Sequence, residues 1–356
     1  MKSIQILQNS TYYDSLMSSI NDARKSIHIS IFSLNADNSK DHQLKVRDLL
    51  KLLCKKNKDG IDVRVMLGNS NKLNKSIQYS TLDVTNEIAF TFLKSFGVKV
   101  SFFQHYKQES SHSKYVVIDD EISFIGSHNF SPRAFDSGND DSICVYDLSL
   151  AEELKRVFFT DWKYAIIPSN SEIVDFDNSS ITFNNPILKN LSSNLVSGTM
   201  KSDLLLNKEY FETVLKEIEN AQSSIDISMF YFSFSKDKKS ITSKLHDALT
   251  LAHKRGVKIR IVLDRDRPTD IYASYRANKQ RFTGLKKAGI DVKFDKKEVA
   301  SHSKLLIIDK SKVILGSHNW TYGSYEKYQD VSVIVQSKLV AEEYSKLFDN
   351  TFSLLN

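Results

Sequence analysis

Residues 112–129 read HSKYVVIDDEISFIGSHN, and residues 302–319 read HSKLLIIDKSKVILGSHN. Each copy carries a histidine, a lysine two residues on, an aspartate five beyond that, and Gly-Ser-His-Asn at a common offset. Histidine and glycine stand 14 residues apart in both, His112 to Gly126 and His302 to Gly316. Residues i and i+2 of a strand share a face, so His112 projects with Lys114 and His302 with Lys304. An ammonium beside an imidazole repels a divalent cation and offers it too few ligands. The same pair suits a phosphate: lysine binds the oxyanion while imidazole attacks phosphorus or moves a proton. Asn129, Asn319, Ser127 and Ser317 are candidate neutral donors to the phosphate oxygens. No metal and no cofactor are expected. Two copies point to one reaction divided between two histidines around one anion.

The copies end a longer repeat. YYDSLMSSINDARKSIHISIFSL (12–34) matches YFETVLKEIENAQSSIDISMFYF (210–232). Both read as an amphipathic helix followed by an alternating strand, Ile27, Ile29, Ile31 and Ile225, Ile227, Met229. Two further helix–strand pairs follow in each half, punctuated by Gly60, Gly97, Gly256 and Gly289 where a left-handed C-cap belongs. A second strand follows each His-x-Lys strand, at Ile122–Ile125 and Lys312–Leu315. Alternating helices and strands predict an α/β fold of two similar lobes, each a mixed sheet flanked by helices, related by a pseudo-two-fold axis. An offset of 190 residues is too long for a solenoid and fits a domain duplication. The expected division is 1–165, an interlobe segment 166–200 rich in Ser and Asn, and 201–356.

The chain of 356 residues is 41% hydrophobic and 26% charged, as a soluble globular protein is, and its net charge of +6 permits an anionic partner without demanding one. Cys54 and Cys144 stand in unrelated contexts and read as buried thiols. No run approaches the roughly 20 apolar residues of a membrane span, and the first residues lack a signal-peptide core. A cytoplasmic location is therefore expected.

The pattern H-x-K-x4-D followed by G-S-x-N resembles the phospholipase D superfamily in its two-motif, single-chain form, and the resemblance covers nearly the whole chain. It implies a phosphodiesterase in which one histidine forms a phosphohistidine while the other protonates the leaving oxygen and then activates water or an alcohol. By the habit of that family His112 is the nucleophile and His302 the acid/base; the residues themselves do not distinguish them. Lys114 and Lys304 would neutralise the transition state. Asp119 and Asp309 are structural in the family, in keeping with their odd offset from the lysines. The family's N-x-E element, whose carboxylate orients a catalytic histidine, maps by its 14-residue offset from the motif glycine onto Asp140 and Asp330. Its asparagine is replaced by Gly138 and Tyr328, with Asn139 or Gln329 one position away. His128 and His318 read as packed or loop residues, and His28, His105, His246 and His253 as surface residues without a role.

Nucleic acid is the substrate expected first, and the reading is then a metal-independent nuclease. GSHNWT (316–321) is similar to nuclease-type members, and residues 265–282 interleave arginine with tyrosine. Arg265, Arg267, Tyr272, Tyr275, Arg276 and Arg281 are candidate contacts to a strand; an amphipathic helix packing its tyrosines on the sheet explains them equally well. SPRAF (131–135) instead is similar to lipid-acting members, so a phospholipase D or transphosphatidylase is the alternative. A tyrosyl-DNA phosphodiesterase is disfavoured because both copies keep the motif aspartate. A binding protein with a retired site is disfavoured because neither copy has decayed. With both motifs in one chain, a monomer suffices.

Overall fold

In a computed structural model, the chain is described for residues 2–36, 44–68, 81–105, 107–167, 195–266, 273–296 and 301–355. The first half runs β1 (Lys2–Gln8), α1 (Ser10–Asp22), β2 (Ser26–Ile31), α2 (Leu44–Lys58), β3 (Asp62–Leu67), α3 (Thr81–Ser95), β4 (Lys99–Phe102), β5 (Ser110–Ser111), β6 (Lys114–Ile118), β7 (Ile122–Gly126), α4 (Pro132–Asp136), β8 (Asp141–Tyr146) and α5 (Leu148–Trp162). β9 (Leu195–Gly198) follows. The second half runs β10 (Lys201–Leu206), α6 (Asn207–Asn220), β11 (Ser224–Met229), α7 (Ile241–Lys254), β12 (Lys258–Leu263), α8 (Ser274–Lys287), β13 (Asp291–Phe294), β14 (Lys304–Ile308), β15 (Lys312–Gly316), α9 (Tyr322–Glu326), β16 (Tyr328–Gln329), β17 (Val331–Gln336) and α10 (Lys338–Ser353).

The first sheet has the order β4-β3-β2-β6-β7-β8-β1-β9, and the second β13-β12-β11-β14-β15-β17-β10. Strand for strand the two agree, apart from β9. That strand comes from the Ser/Asn-rich segment and pairs antiparallel with β1 at the sheet edge. In each half three strands are parallel (β2-β3-β4, β11-β12-β13), and the rest of the main sheet is antiparallel. The fold is therefore the mixed α/β duplication expected from the repeat.

Alternation places the strand residues. Ile27, Ile29 and Ile31 meet Tyr12, Leu16, Met17 and Ile20 of α1 in an outer core; Ile225, Ile227 and Met229 meet Tyr210, Phe211, Val214 and Ile218 of α6 in its counterpart. The other face of each sheet looks inward. There Tyr115, Val117, Ile125, Ile143 and Val145 share one apolar cluster with Leu305, Ile307, Val313, Leu315, Val333 and Val335, together with Leu154 and Phe158 of α5 and Tyr344 and Phe348 of α10. Tyr344 also donates its hydroxyl to the Ser142 carbonyl across the two halves (3.0 Å). The inner face of each sheet is thus covered by one helix and by the other half. His28, read from sequence as a surface residue, lies on this inner face at 2% exposure, stacked on Phe158.

Two turns fix the His-x-Lys hairpins. Asp119 and Asp120 take φ of 54 and 61°, and Asp309 and Lys310 take 51 and 49°, a left-handed pair that tightens each three-residue connection. Asp119 accepts from the backbone N–H of Arg24, Lys25 and Ser26, and Asp309 from those of Gln222, Ser223 and Ser224. These carboxylates tie each hairpin to the start of the neighbouring strand. Cys54 and Cys144 are buried free thiols, pushed up to about 12 by burial.

Candidate active site

Each histidine stands two residues before the first residue of its hairpin strand, and backbone pairing between the halves sets its position. β5 pairs in parallel with β16 of the other half (Ser110 opposite Tyr328, Ser111 opposite Gln329), and His112 N donates to Gln329 O (2.8 Å). In the mirrored place Asn139 bridges Ser301. The residue after Gln329 is Asp330, and the residue after Asn139 is Asp140. Each histidine is thereby delivered to the carboxylate of the opposite half. His112 Nδ1 lies 2.8 Å from Asp330 Oδ1, and His302 Nδ1 lies 3.0 Å from Asp140 Oδ1. The two imidazole centroids are 6.5 Å apart.

The carboxylates are fixed in turn. Ser127 Oγ donates to Asp140 Oδ1 and Ser317 Oγ to Asp330 Oδ1, each over 2.6 Å, while both hydroxyls accept from the backbone N–H of the following strand. Ser127 and Ser317 were expected beside the phosphate. Their one hydroxyl proton goes to the carboxylate instead. The glycine before each serine is required by space: a Cβ on Gly126 would sit 1.8 Å from Ser142 Oγ, and one on Gly316 2.2 Å from Ser332 Oγ.

Lys114 and Lys304 are buried at 2% and 1% exposure. Each ammonium donates to the carbonyl of its own histidine and lies 5.0 Å over a phenylalanine ring, Phe32 and Phe230 respectively. Those rings also meet His112 and His302 edge-on at 4.8 Å. Phe32 and Phe230 escaped the sequence reading, although the repeat places them at equivalent positions. Asn319 is buried, Asn129 half-buried, and Oδ1 of each is buried without a hydrogen-bond partner. Such open polar atoms fit a polar group brought by a ligand. Of the alternatives to the missing family asparagine, Gln329 is occupied by Asn207 (3.0 Å), and Asn139 reaches Asp295 at 3.5 Å. His128 and His318 stack at 4.1 Å on Tyr12 and Tyr210 and bond Ser142 and Ser332.

Electrostatics follow from burial. Burial and the adjacent Lys114 push His112 down to about 4 despite Asp330; burial and Lys304 push His302 down to about 3 despite Asp140. Burial works to raise Asp140 and Asp330, but the facing imidazoles outweigh it and hold both carboxyls well below the usual range. At neutral pH each site is a carboxylate accepting from a neutral imidazole, with Nε2 carrying a lone pair. Burial also lowers Lys114, and lowers Lys304 to about 7. An arriving phosphate anion restores the charge that burial disfavours.

One contact breaks the symmetry. Ser303 Oγ donates to Asp141 Oδ2, and Gln8 Nε2 to Asp141 Oδ1 (2.8 Å), locking the second His-x-Lys strand onto β8. The equivalent of Asp141 in the other half is Val331, so the repeat gave no signal for it.

A family profile described as "Cardiolipin synthase, PLD-like domain" matches residues 16–162 and 214–352. The chain belongs to this family of the phospholipase D superfamily. Cardiolipin synthase 1 of Bacillus anthracis is 26% identical over 351 residues, covering 96% of this chain and 64% of the relative. Phospholipase D of Rickettsia prowazekii is 33% identical over 131 residues, covering 37% and 57%. The structure of phosphatidylserine synthase from Haemophilus influenzae Rd KW20 shares the fold at a TM-score of 0.71 and 12% identity, covering 99% of this chain and 89% of that one. The chain spans less than two thirds of the cardiolipin synthase it matches.

These relatives overturn the expectation of a nuclease acting on nucleic acid, and the geometry gives the reason that expectation failed. Trp320 of GSHNWT is fully buried against Phe232 (4.6 Å) and donates to Tyr210, while Thr321 caps α9 as Ser131 caps α4. The nuclease-like ending is a core residue and a helix cap. Arg281, expected to reach a strand, is 3% exposed, donates to the Ser233 carbonyl and lies over Phe232. Arg265 lies over Tyr275 and Phe294, and of the two arginines of α8 only Arg276 is exposed. Arg267 and Tyr272 fall outside the described residues. Among the described residues no helix is long and apolar enough to cross a membrane, and no three His, Cys, Asp or Glu side chains group as metal ligands do.

Proposed function

We propose that the chain is a phosphodiesterase acting on phospholipid head groups through a phosphohistidine, with water or an alcohol as acceptor. The observation that carries this is the pair of imidazoles 6.5 Å apart, each with Nδ1 on a buried carboxylate and a buried lysine beside it. The names of the relatives supply the lipid substrate class. His112 Nε2 attacks phosphorus and the P–O bond to the head-group alcohol breaks. His302, protonated once the phosphate anion is bound, gives its proton to the leaving alkoxide. His302 then takes a proton from water or an alcohol, which attacks phosphorus, breaks the P–N bond and frees His112. Lys114 and Lys304 offset charge on the equatorial oxygens, where fixed charge counts most. Asp330 and Asp140 hold the imidazole tautomers, and Asn129 and Asn319, whose Oδ1 atoms have no hydrogen-bond partner, meet polar atoms of the substrate.

The test is an assay in EDTA on phosphatidylglycerol vesicles, following glycerol, phosphatidic acid and cardiolipin, for the wild type and for His112→Ala. Glycerol release lost in the variant is expected, with phosphatidic acid marking hydrolysis and cardiolipin marking transfer to a second lipid. No product from the wild type, or equal product from the variant, would reject the proposal.

A further inference from the structure

One rim of the second half is built by segments that start in the active site. The chain leaves β11 through Phe230, beside His302, and three residues later Ser233 N donates to Trp320 O (3.0 Å). Trp320 follows Asn319, and Tyr322 opens α9. Between this loop, α9 and the first turn of α7 lies a groove of about 370 Å³ whose lining includes Phe234, Lys239, Lys244 and Tyr322.

Two features of this rim are unusual for a surface that faces only water. Phe234 and Tyr322 are large apolar rings left 46% and 63% exposed. Around them Lys236, Lys238, Lys239 and Lys244 are exposed, and none has a carboxylate within ion-pair distance among the described residues. The acidic neighbours are already engaged: Asp237 accepts from Lys239 N (2.8 Å), and Glu326 pairs with Lys208 (2.7 Å). The corresponding stretch of the first half, residues 36–41, reads ADNSKD, with alanine in place of Phe234 and two aspartates to one lysine. In sequence, the stretch is basic and aromatic in the second half and not in the first. Exposed aromatic rings flanked by lysines are what a protein presents to the head-group layer of a bilayer.

We propose that this rim docks on an anionic phospholipid surface, with Phe234 and Tyr322 entering the interface and Lys236, Lys238 and Lys239 against the anionic head groups. The segments that form this rim begin beside the histidine pair, at Phe230 and Asn319. The proposal rests on the phospholipid reading for its purpose, but its readout is binding rather than turnover.

The test is cosedimentation of the full chain with phosphatidylcholine vesicles, with and without phosphatidylglycerol. Wild type should bind only the anionic vesicles, and less as salt rises. At roughly fivefold per lysine, the Lys236→Ala/Lys238→Ala/Lys239→Ala variant should bind about 100-fold more weakly at low salt. Phe234→Ser/Tyr322→Ser should weaken binding by roughly tenfold. Turnover of soluble bis(p-nitrophenyl) phosphate should be unchanged in both variants. Anionic binding unaltered by the lysine variant, no effect of the aromatic pair, or equal wild-type binding to neutral vesicles would each overturn the docking surface. Absence of turnover on the soluble diester would sink the proposed chemistry while the vesicle result still decided the docking.

Discussion

Because Asp330 belongs to the half opposite His112, its loss should read out on a histidine 218 positions away. Asp330→Asn is expected to lower turnover by ~10²–10⁴-fold with the fold retained, since Nδ1–H loses its charged acceptor. Combined with His112→Ala it should add little, because the two act as one unit; additive losses in lipid turnover would separate them. The pH profile follows from the same groups. Protonating His112 at about 4 removes the lone pair that attacks phosphorus, so kcat/KM should rise with pH through that value. Lys304 loses its charge at about 7, so kcat/KM should fall above neutrality. A profile still rising beyond pH 8 would contradict this assignment. For stability the sign is that of depressed histidines. Between their ordinary value of 6.5 and about 4, the unfolded chain binds protons that the folded site refuses, so acid destabilises the fold. The histidines and lysines were legible in sequence because their chemistry demands fixed residue types at fixed spacing. Which carboxylate meets which histidine was not, since that depends on β5 and β16 pairing between the halves.

At the scale of elements, the aspartates of the two hairpin turns organise strands. Asp309→Ala would leave three backbone N–H groups without their acceptor. The expected cost is about 1–3 kcal/mol in urea unfolding, with turnover per folded molecule near wild type. A collapse of turnover at unchanged stability would place Asp309 in the chemistry instead. Periodicity made the strand–helix units readable, and the glycines fell where helices end: Gly60 and Gly256 take φ of 91 and 96°. β9 was not readable, because LVSG sits in a polar stretch and gains its strand form only by pairing with β1. The Arg/Tyr helix misled for a related reason. Residue types alone do not tell an arginine lying over a ring inside a lobe, as Arg281 lies over Phe232, from one reaching for a ligand.

The whole molecule is held by a central apolar layer to which both halves contribute, with Tyr115 and Leu305 from the two hairpins in one cluster. Neither half can bury that face alone, so thermal unfolding should be one cooperative transition whether followed by circular dichroism or by tryptophan fluorescence; two resolved transitions would mean the halves are independent. The same layer brings both histidines of a single chain to one place, and activity should be independent of protein concentration. The central claim is that these histidines share one phosphodiester, one of them covalently. The most direct test incubates His302→Ala with a phosphatidyl ester bearing a p-nitrophenyl leaving group, which needs no acid, quenches in alkali and locates the phosphorus by mass spectrometry. The account predicts a stoichiometric phosphatidyl adduct on His112. No adduct on any histidine, while wild type turns over the same ester, would contradict it.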